Sequence, residues 1–195
     1  MSDRLRNLHS FTGIRDYELP QGFEGTLRPY QKAGYNWLRF LNEFHLGGCL
    51  ADDMGLGKTV QTLALLESEK EKGNAGTTLL IMPTSLIYNW EMEAAKFTPG
   101  LKIFTYTGTL RNKDVAQFSK YDVVLTSYGI TRLDIDNLVK FYFNYVILDE
   151  SQVISYLVKN HKAGAGCKTL AAVPDSGRAW LAQNIDAMKD SIAAE

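Results

Sequence analysis

Residues 50–62 read LADDMGLGKTVQT, from Leu50 to Thr62, and the fold turns on how this stretch is read. A short apolar run, Cys49-Leu50-Ala51, leads into it. A helix with Val60, Leu63, Ala64 and Leu66 on its apolar side leads out, and between them lie Gly55, Gly57, Lys58 and Thr59. A triphosphate packs several negative charges into a small volume, so its site needs backbone amides at close approach and a cation. Glycines let the backbone come near, a lysine ammonium meets the β- and γ-phosphates, and a hydroxyl suits Mg²⁺. The start of a helix adds its positive end. Asp52 stands where a strict phosphate loop has its first glycine. That glycine serves the turn, whereas the cradle and the charge come from the four residues that are present. A bare Gly-Lys-Ser/Thr arises by chance in roughly one chain in ten of this length, so the loop needs a second half.

YVILDESQ, residues 145–152, supplies it: four apolar residues are followed at once by Asp149 and Glu150. A carboxylate at the tip of a neighbouring strand holds the water shell of a magnesium ion, and its neighbour polarises an attacking water. Acidic pairs at strand ends are often merely solvated. Here, however, two half-motifs occur in order with strands between them.

Those strands extend the reading outward. TLLIM at 78–82, the run 102–106, DVVLT at 122–126 and YVIL at 145–148 are apolar on both faces. They alternate with helical patterns that start at Pro29 and cover 85–97, 112–118 and 130–139. This predicts an α/β fold, doubly wound, with a mainly parallel sheet and helices on both faces. Residues 1–25 read as an N-terminal extension, 26–154 as the nucleotide-binding lobe, and 155–195 as an atypical segment. There AGAG, PDSG and alanine-rich pieces replace the strand signals, with a last helix expected over 178–194.

The 195 residues include 21 basic and 22 acidic side chains, a formal charge of −1, so any nucleic-acid contact must come from a local patch. Cys49 and Cys167 lack metal-binding spacing and read as reduced thiols; His9, His45 and His161 show no partner pattern. No leader or membrane-spanning run is evident, so a soluble intracellular protein is expected.

LRPYQKAGYNWL, CLADDMGLGKTVQTLALL, LLIMPTSLIYNW, VVLTSY and YVILDESQ together resemble the first, RecA-like lobe of the SNF2-type ATPases of helicase superfamily two. The aspartate-bearing loop of that family, DEMGLGKT, accounts for Asp52. Bacterial members are the most similar in style. The resemblance, from about Thr26 to Ile154, implies ATP as nucleotide, with Gln31 reading the adenine edge. It implies that Asp53, Met54, Gly55, Leu56, Gly57, Lys58 and Thr59 cradle the phosphates, and that Thr59 and Asp149 hold Mg²⁺. Lys58, Asp149 and Glu150 would be the catalytic group. Pro83, Thr84 and Ser85, with Thr126 and Ser127, would meet the backbone of duplex DNA without reading bases. For Thr84 or Ser85, capping of the following helix is the plainer alternative. Trp37, Trp90 and Tyr128 read as core aromatics.

The pattern then departs from the family. A threonine-glycine-threonine-proline motif is expected beyond the acidic box, and RAWLAQNID at 178–186 has none of it. The second lobe of the family is expected to be missing. The expectation is therefore a fragment of a DNA-dependent ATPase that translocates on DNA, nucleoid-associated in a bacterial cytoplasm and poorly active alone. A non-catalytic nucleotide-binding or scaffold module is the alternative.

Overall fold

A computed structural model of the chain describes residues 13–50, 55–73 and 76–150, and the backbone of 170–174. The chain enters through a packed coil into helix α1 (Pro29–Glu43), then strand β1 (Gly48–Leu50) and helix α2 (Lys58–Glu71). Strand β2 (Thr78–Met82) is followed by a 3-10 turn (Thr84–Leu86) and helix α3 (Ile87–Phe97). Strand β3 (Ile103–Tyr106), a second 3-10 turn (Val115–Lys120) and strand β4 (Val123–Ser127) come next. Two short helices, α4 (Tyr128–Leu133) and α5 (Ile135–Leu138), precede β5 (Tyr145–Leu148), and β6 (Leu170–Pro174) completes the described elements.

The strands lie in the order β1-β6-β5-β2-β4-β3. β5, β2, β4 and β3 are parallel neighbours, with Leu80 opposite both Leu125 and Ile147. Period-two alternation sends successive residues of each strand to opposite faces. Leu80, Met82, Val123, Leu125 and Ile147 pack under Leu63 and Leu66 of α2 and Ile87, Trp90 and Ala94 of α3. Leu79, Ile81, Val124, Val146 and Leu148 pack under Phe118, Tyr128, Ile135 and Leu138 on the other face. Both faces are therefore covered, which explains why β2, β4 and β5 read as unbroken apolar runs. The α/β, mainly parallel architecture is the one expected.

Four local features differ from the sequence reading, and the first is that the helix expected over 112–118 is the 3-10 turn Val115–Lys120. Helix α2 is buried nearly all round, because Val60 and Ala64 meet a third cluster built from Tyr17, Phe23, Leu27 and Tyr35. The described part of the presumed extension thus belongs to this packing. The helix expected over 130–139 is two helices, broken at Asp134 (φ −116°, ψ 18°), whose side chain turns inward. Finally, β6 is a strand where the strand signals weaken, and it runs antiparallel to both β1 and β5. Among the described residues no helix is long and apolar enough to cross a membrane. The helix expected over 178–194 lies outside the described residues.

Candidate nucleotide-binding cleft

The turn after β1 is built on left-handed backbone. Gly55 has φ 81° and Gly57 has φ 80°, values that L side chains rarely adopt. At Gly57 there is a second constraint, since a Cβ would lie 2.4 Å from Nε2 of Gln31. That amide is part of the turn's support. Gln31 Nε2 donates to the Leu56 carbonyl at 3.0 Å, and its Oε1 accepts from the Arg28 amide at 2.9 Å, completing half of a capping box at the start of α1. Reading an adenine edge would require Gln31 to exchange these partners. Gly57 is the N-cap of α2, so Lys58 is the first helical residue and Thr59 the second. Asp53 and Met54 lie outside the described residues.

Across from this turn, β5 ends at Leu148 and the Asp149 amide still donates to Ile81 O at 2.8 Å. The next residue leaves the ladder: Glu150 has φ 50°, a strained value for a residue with a side chain. The Asp149 carboxylate is buried and held by two neutral donors. Oδ2 accepts from the Trp90 indole at 2.7 Å, and Oδ1 accepts from the Glu150 amide at 2.9 Å. The Tyr128 hydroxyl donates to the Asp149 backbone carbonyl at 2.8 Å. Burial, with the nearby Asp149 and Glu150 carboxylates, pushes the Tyr128 phenol well above its ordinary value.

Gly55, Gly57, Lys58 and Thr59 form one wall of a cleft of about 290 Å³; Trp90, Asp149 and Glu150 form the other. The structure therefore brings both half-motifs to a single space. The donor set suits a magnesium nucleotide. A carboxylate has about four lone-pair positions, of which two are used at Asp149. Among the described residues no cluster of three or more His, Cys, Asp or Glu forms a metal cage. One carboxylate and one hydroxyl beside a phosphate turn is the sparse set that Mg²⁺ accepts, with phosphates and waters completing its shell.

The segments expected to meet DNA divide. Thr84 and Ser85 are exposed after β2, with no side-chain cap at the turn or at α3, so the capping alternative is not realised there. It is realised at Ser127, whose hydroxyl accepts from the Ile130 amide at 3.3 Å. Thr126 is fully buried and donates to Tyr106 O at 2.9 Å, so its side chain offers nothing to an external phosphate. Trp90, read from the sequence as core, is core and cleft at once. Only its spacing was visible beforehand, and helical spacing cannot distinguish an indole that packs from one that also donates.

The model of the SNF2-related domain matches residues 30–171, which include both walls of the cleft. The chain belongs to that family. It is 44% identical over 154 residues to the putative ATP-dependent helicase/translocase YwqA of Bacillus subtilis, covering 77% of this chain and 17% of that protein. It is 41% identical over 166 residues to the TATA-binding protein-associated factor MOT1 of Saccharomyces cerevisiae, covering 78% of this chain and 9% of that one. The Sulfolobus solfataricus SWI2/SNF2 ATPase core in complex with dsDNA superposes with a TM-score of 0.64 at 36% identity. That match spans 76% of this SNF2-related chain and 30% of the solved one. The chain therefore spans a small part of the length of each relative.

Proposed function

We propose that this chain is the ATP-binding lobe of a DNA-dependent ATPase that translocates on duplex DNA. The observation that carries the reading is the meeting of Lys58 and Thr59 with Asp149 and Glu150 across one cleft. In this reading Gly55 and Gly57 admit the phosphates to the backbone amides, and the Lys58 ammonium neutralises charge on the β- and γ-phosphates. Thr59 and Asp149 hold the Mg²⁺, which supplies charge neutralisation at the phosphate oxygens. Glu150 orients the attacking water and accepts its proton. Gln31 faces the adenine after releasing Leu56, and Asp53 and Met54 complete the loop.

Pro83, Thr84, Ser85 and Ser127 are proposed to line the path of one DNA strand, gripping phosphates without reading sequence. A second RecA-like lobe would close over the cleft in the intact enzyme and supply the charge that stabilises the transferring phosphoryl group. The place of work would be DNA, hence the nucleoid in a bacterial cell.

One observation favours a second reading, a non-catalytic nucleotide-binding module. β6 lies between β1 and β5, the strands that carry the two halves of the site, and runs against both. Titration of ATP and Mg²⁺ with and without duplex DNA separates the readings. A translocase lobe should bind ATP more tightly when DNA is present, and DNA more tightly when ATP is present, by the same factor. Lys58→Ala should abolish the ATP binding. Nucleotide binding that ignores DNA at low salt would favour the module, and binding that survives Lys58→Ala would sink both readings.

A further inference from the structure

We propose that Trp90 and Tyr128 are positioning residues that clamp Asp149 from two sides and tie its carboxylate to the segments following β2 and β4. The inference rests on the reading of Asp149 as the Mg²⁺-holding carboxylate.

A terminal carboxylate torsion is broad and soft, so an aspartate at a strand end does not orient itself. Here Trp90 orients it. The indole is among the largest fully buried side chains, 2% exposed, and its N–H has one good use, the 2.7 Å bond to Oδ2. The partner on the backbone side answers a different need. The Asp149 amide still reaches Ile81 O, but the parallel register sets the Asp149 carbonyl opposite position 83, a proline with no N–H to give, so the ladder stops there. The Tyr128 hydroxyl takes that carbonyl at 2.8 Å, which fixes the backbone from which the carboxylate hangs.

The two aromatic residues have a common origin. Trp90 sits on α3, just beyond Thr84 and Ser85, and Tyr128 is the first residue of α4, directly after Ser127. Each segment that leaves the carboxyl end of β2 or β4 thus sends one hydrogen bond to the same aspartate. A shift of either segment changes where the carboxylate points, which places the metal affinity of the cleft under their control. Groups that orient a metal-holding side chain are commonly worth 10–100-fold in metal affinity.

The test is ATP binding to the full chain, followed by calorimetry at a series of Mg²⁺ concentrations. Trp90→Phe keeps an aromatic ring and removes the donor. It should raise the Mg²⁺ concentration for half-maximal effect about tenfold, while metal-free ATP affinity stays within about twofold. Benzothienylalanine at position 90 replaces the N–H by sulfur at nearly constant shape. It should give the same shift should the phenylalanine variant fold poorly. Tyr128→Phe should move the midpoint in the same direction.

In an Asp149→Ala background the Trp90 substitution should add nothing, because its target is gone. A midpoint unmoved in the benzothienylalanine protein would overturn the proposal, as would a Trp90 effect that persists without Asp149. In both cases Asp149→Ala would still abolish the Mg²⁺ dependence, and the site reading would stand. Absence of any Mg²⁺-dependent ATP binding by the unsubstituted chain would instead sink the site reading, and the clamp with it.

Discussion

Asp134 and Asp149 are both buried, 2% and 6% exposed, but the groups around them differ in charge. Asp134 Oδ2 accepts from the Tyr106 hydroxyl at 2.7 Å and from Nε of Arg111, whose side chain is itself nearly buried. The Lys113 ammonium stands 3.0 Å from Oδ1 as an ion pair without hydrogen-bond alignment. Its negative charge is thus consumed within the protein, and it holds the stretch after β3 against the break between α4 and α5. Asp149 is held by an indole and a backbone amide, which orient the carboxylate without cancelling its charge. Burial alone does not separate a structural carboxylate from one that faces a ligand. The charge of its donors does.

Removing each side chain tests that difference, and the largest stability effect belongs to Asp134. Asp134→Ala leaves the Arg111 guanidinium buried without its partner and should cost about 3–5 kcal/mol. For a chain of this size that lowers the melting temperature by roughly 10 °C. Asp149→Ala leaves only neutral donors unsatisfied and should cost about 1–3 kcal/mol. Denaturant unfolding of the two variants side by side checks the order, and an equal or reversed ranking would break the distinction.

Catalysis should rank them the other way. Glu150 and Asp149 belong to the proposed machinery, so Asp149→Ala in the intact enzyme should lower the ATP turnover rate about 10²–10³-fold. Asp134 variants that remain folded should keep turnover within about threefold. Steady-state ATPase assays at saturating nucleotide, below the melting temperature of each variant, decide this. A folded Asp134 variant as inactive as Asp149→Ala would show that the two carboxylates are not separable by role.

The acid limb of stability sharpens the comparison further. Burial alone would raise the Asp134 pKa, but the hydrogen bonds from Arg111 and Tyr106 and the nearby Lys113 ammonium outweigh it and hold the group at about 2, below its ordinary 3.8. The folded pKa is depressed, so the stabilisation is fully present above the unfolded value and is lost as pH falls through the folded one. Nearly two pKa units correspond to about 2 kcal/mol. The gap in unfolding free energy between the unsubstituted chain and Asp134→Asn should narrow by that amount from about pH 5 to about pH 2. Glu67 carries the opposite sign, because burial raises its pKa despite the nearby Lys70. Its contribution is present at low pH and is lost as pH rises through the folded value, so Glu67→Gln should steepen the acid loss. A gap that stays constant across this range would mean that the Asp134 carboxylate is not what the cations hold.

Legibility in the sequence followed the same physics. TLLIM and YVIL could be read to the residue because burial on both faces leaves an unmistakable apolar run. That Lys58, Thr59, Asp149 and Glu150 are worth placing together was legible because a lysine and hydroxyl after glycines, and an acidic pair after an apolar strand, are local patterns. That they line one cleft is shown by the fold. Asp134 was not visible. The apolar positions from Ile130 to Val139 keep helical spacing across it, and its partners Arg111 and Lys113 come from a stretch that is distant in sequence. Trp90 was half visible, its packing encoded in the local pattern but its bond to Asp149 dependent on a strand 59 residues away. β6 escaped because LAAVP has the small residues of a helix or a loop, and only pairing between β1 and β5 makes it a strand.

The smallest expected effect concerns the backbone that separates Asp149 from everything after it. Glu150 at φ 50° accepts a left-handed conformation that costs an ordinary residue roughly 1–2 kcal/mol. Glycine avoids that cost but loses more freedom on folding, by roughly 0.5–1 kcal/mol relative to alanine. Glu150→Ala keeps the strain and Glu150→Gly relieves it, while both remove the same carboxylate. The glycine variant should therefore be at least as stable as the alanine variant and exceed it by up to about 1 kcal/mol, the reverse of their usual order within helices and strands. Both should lose ATP turnover alike. Paired melting curves measure the difference, and an alanine variant clearly the more stable would mean that the chain after Asp149 does not turn left-handed.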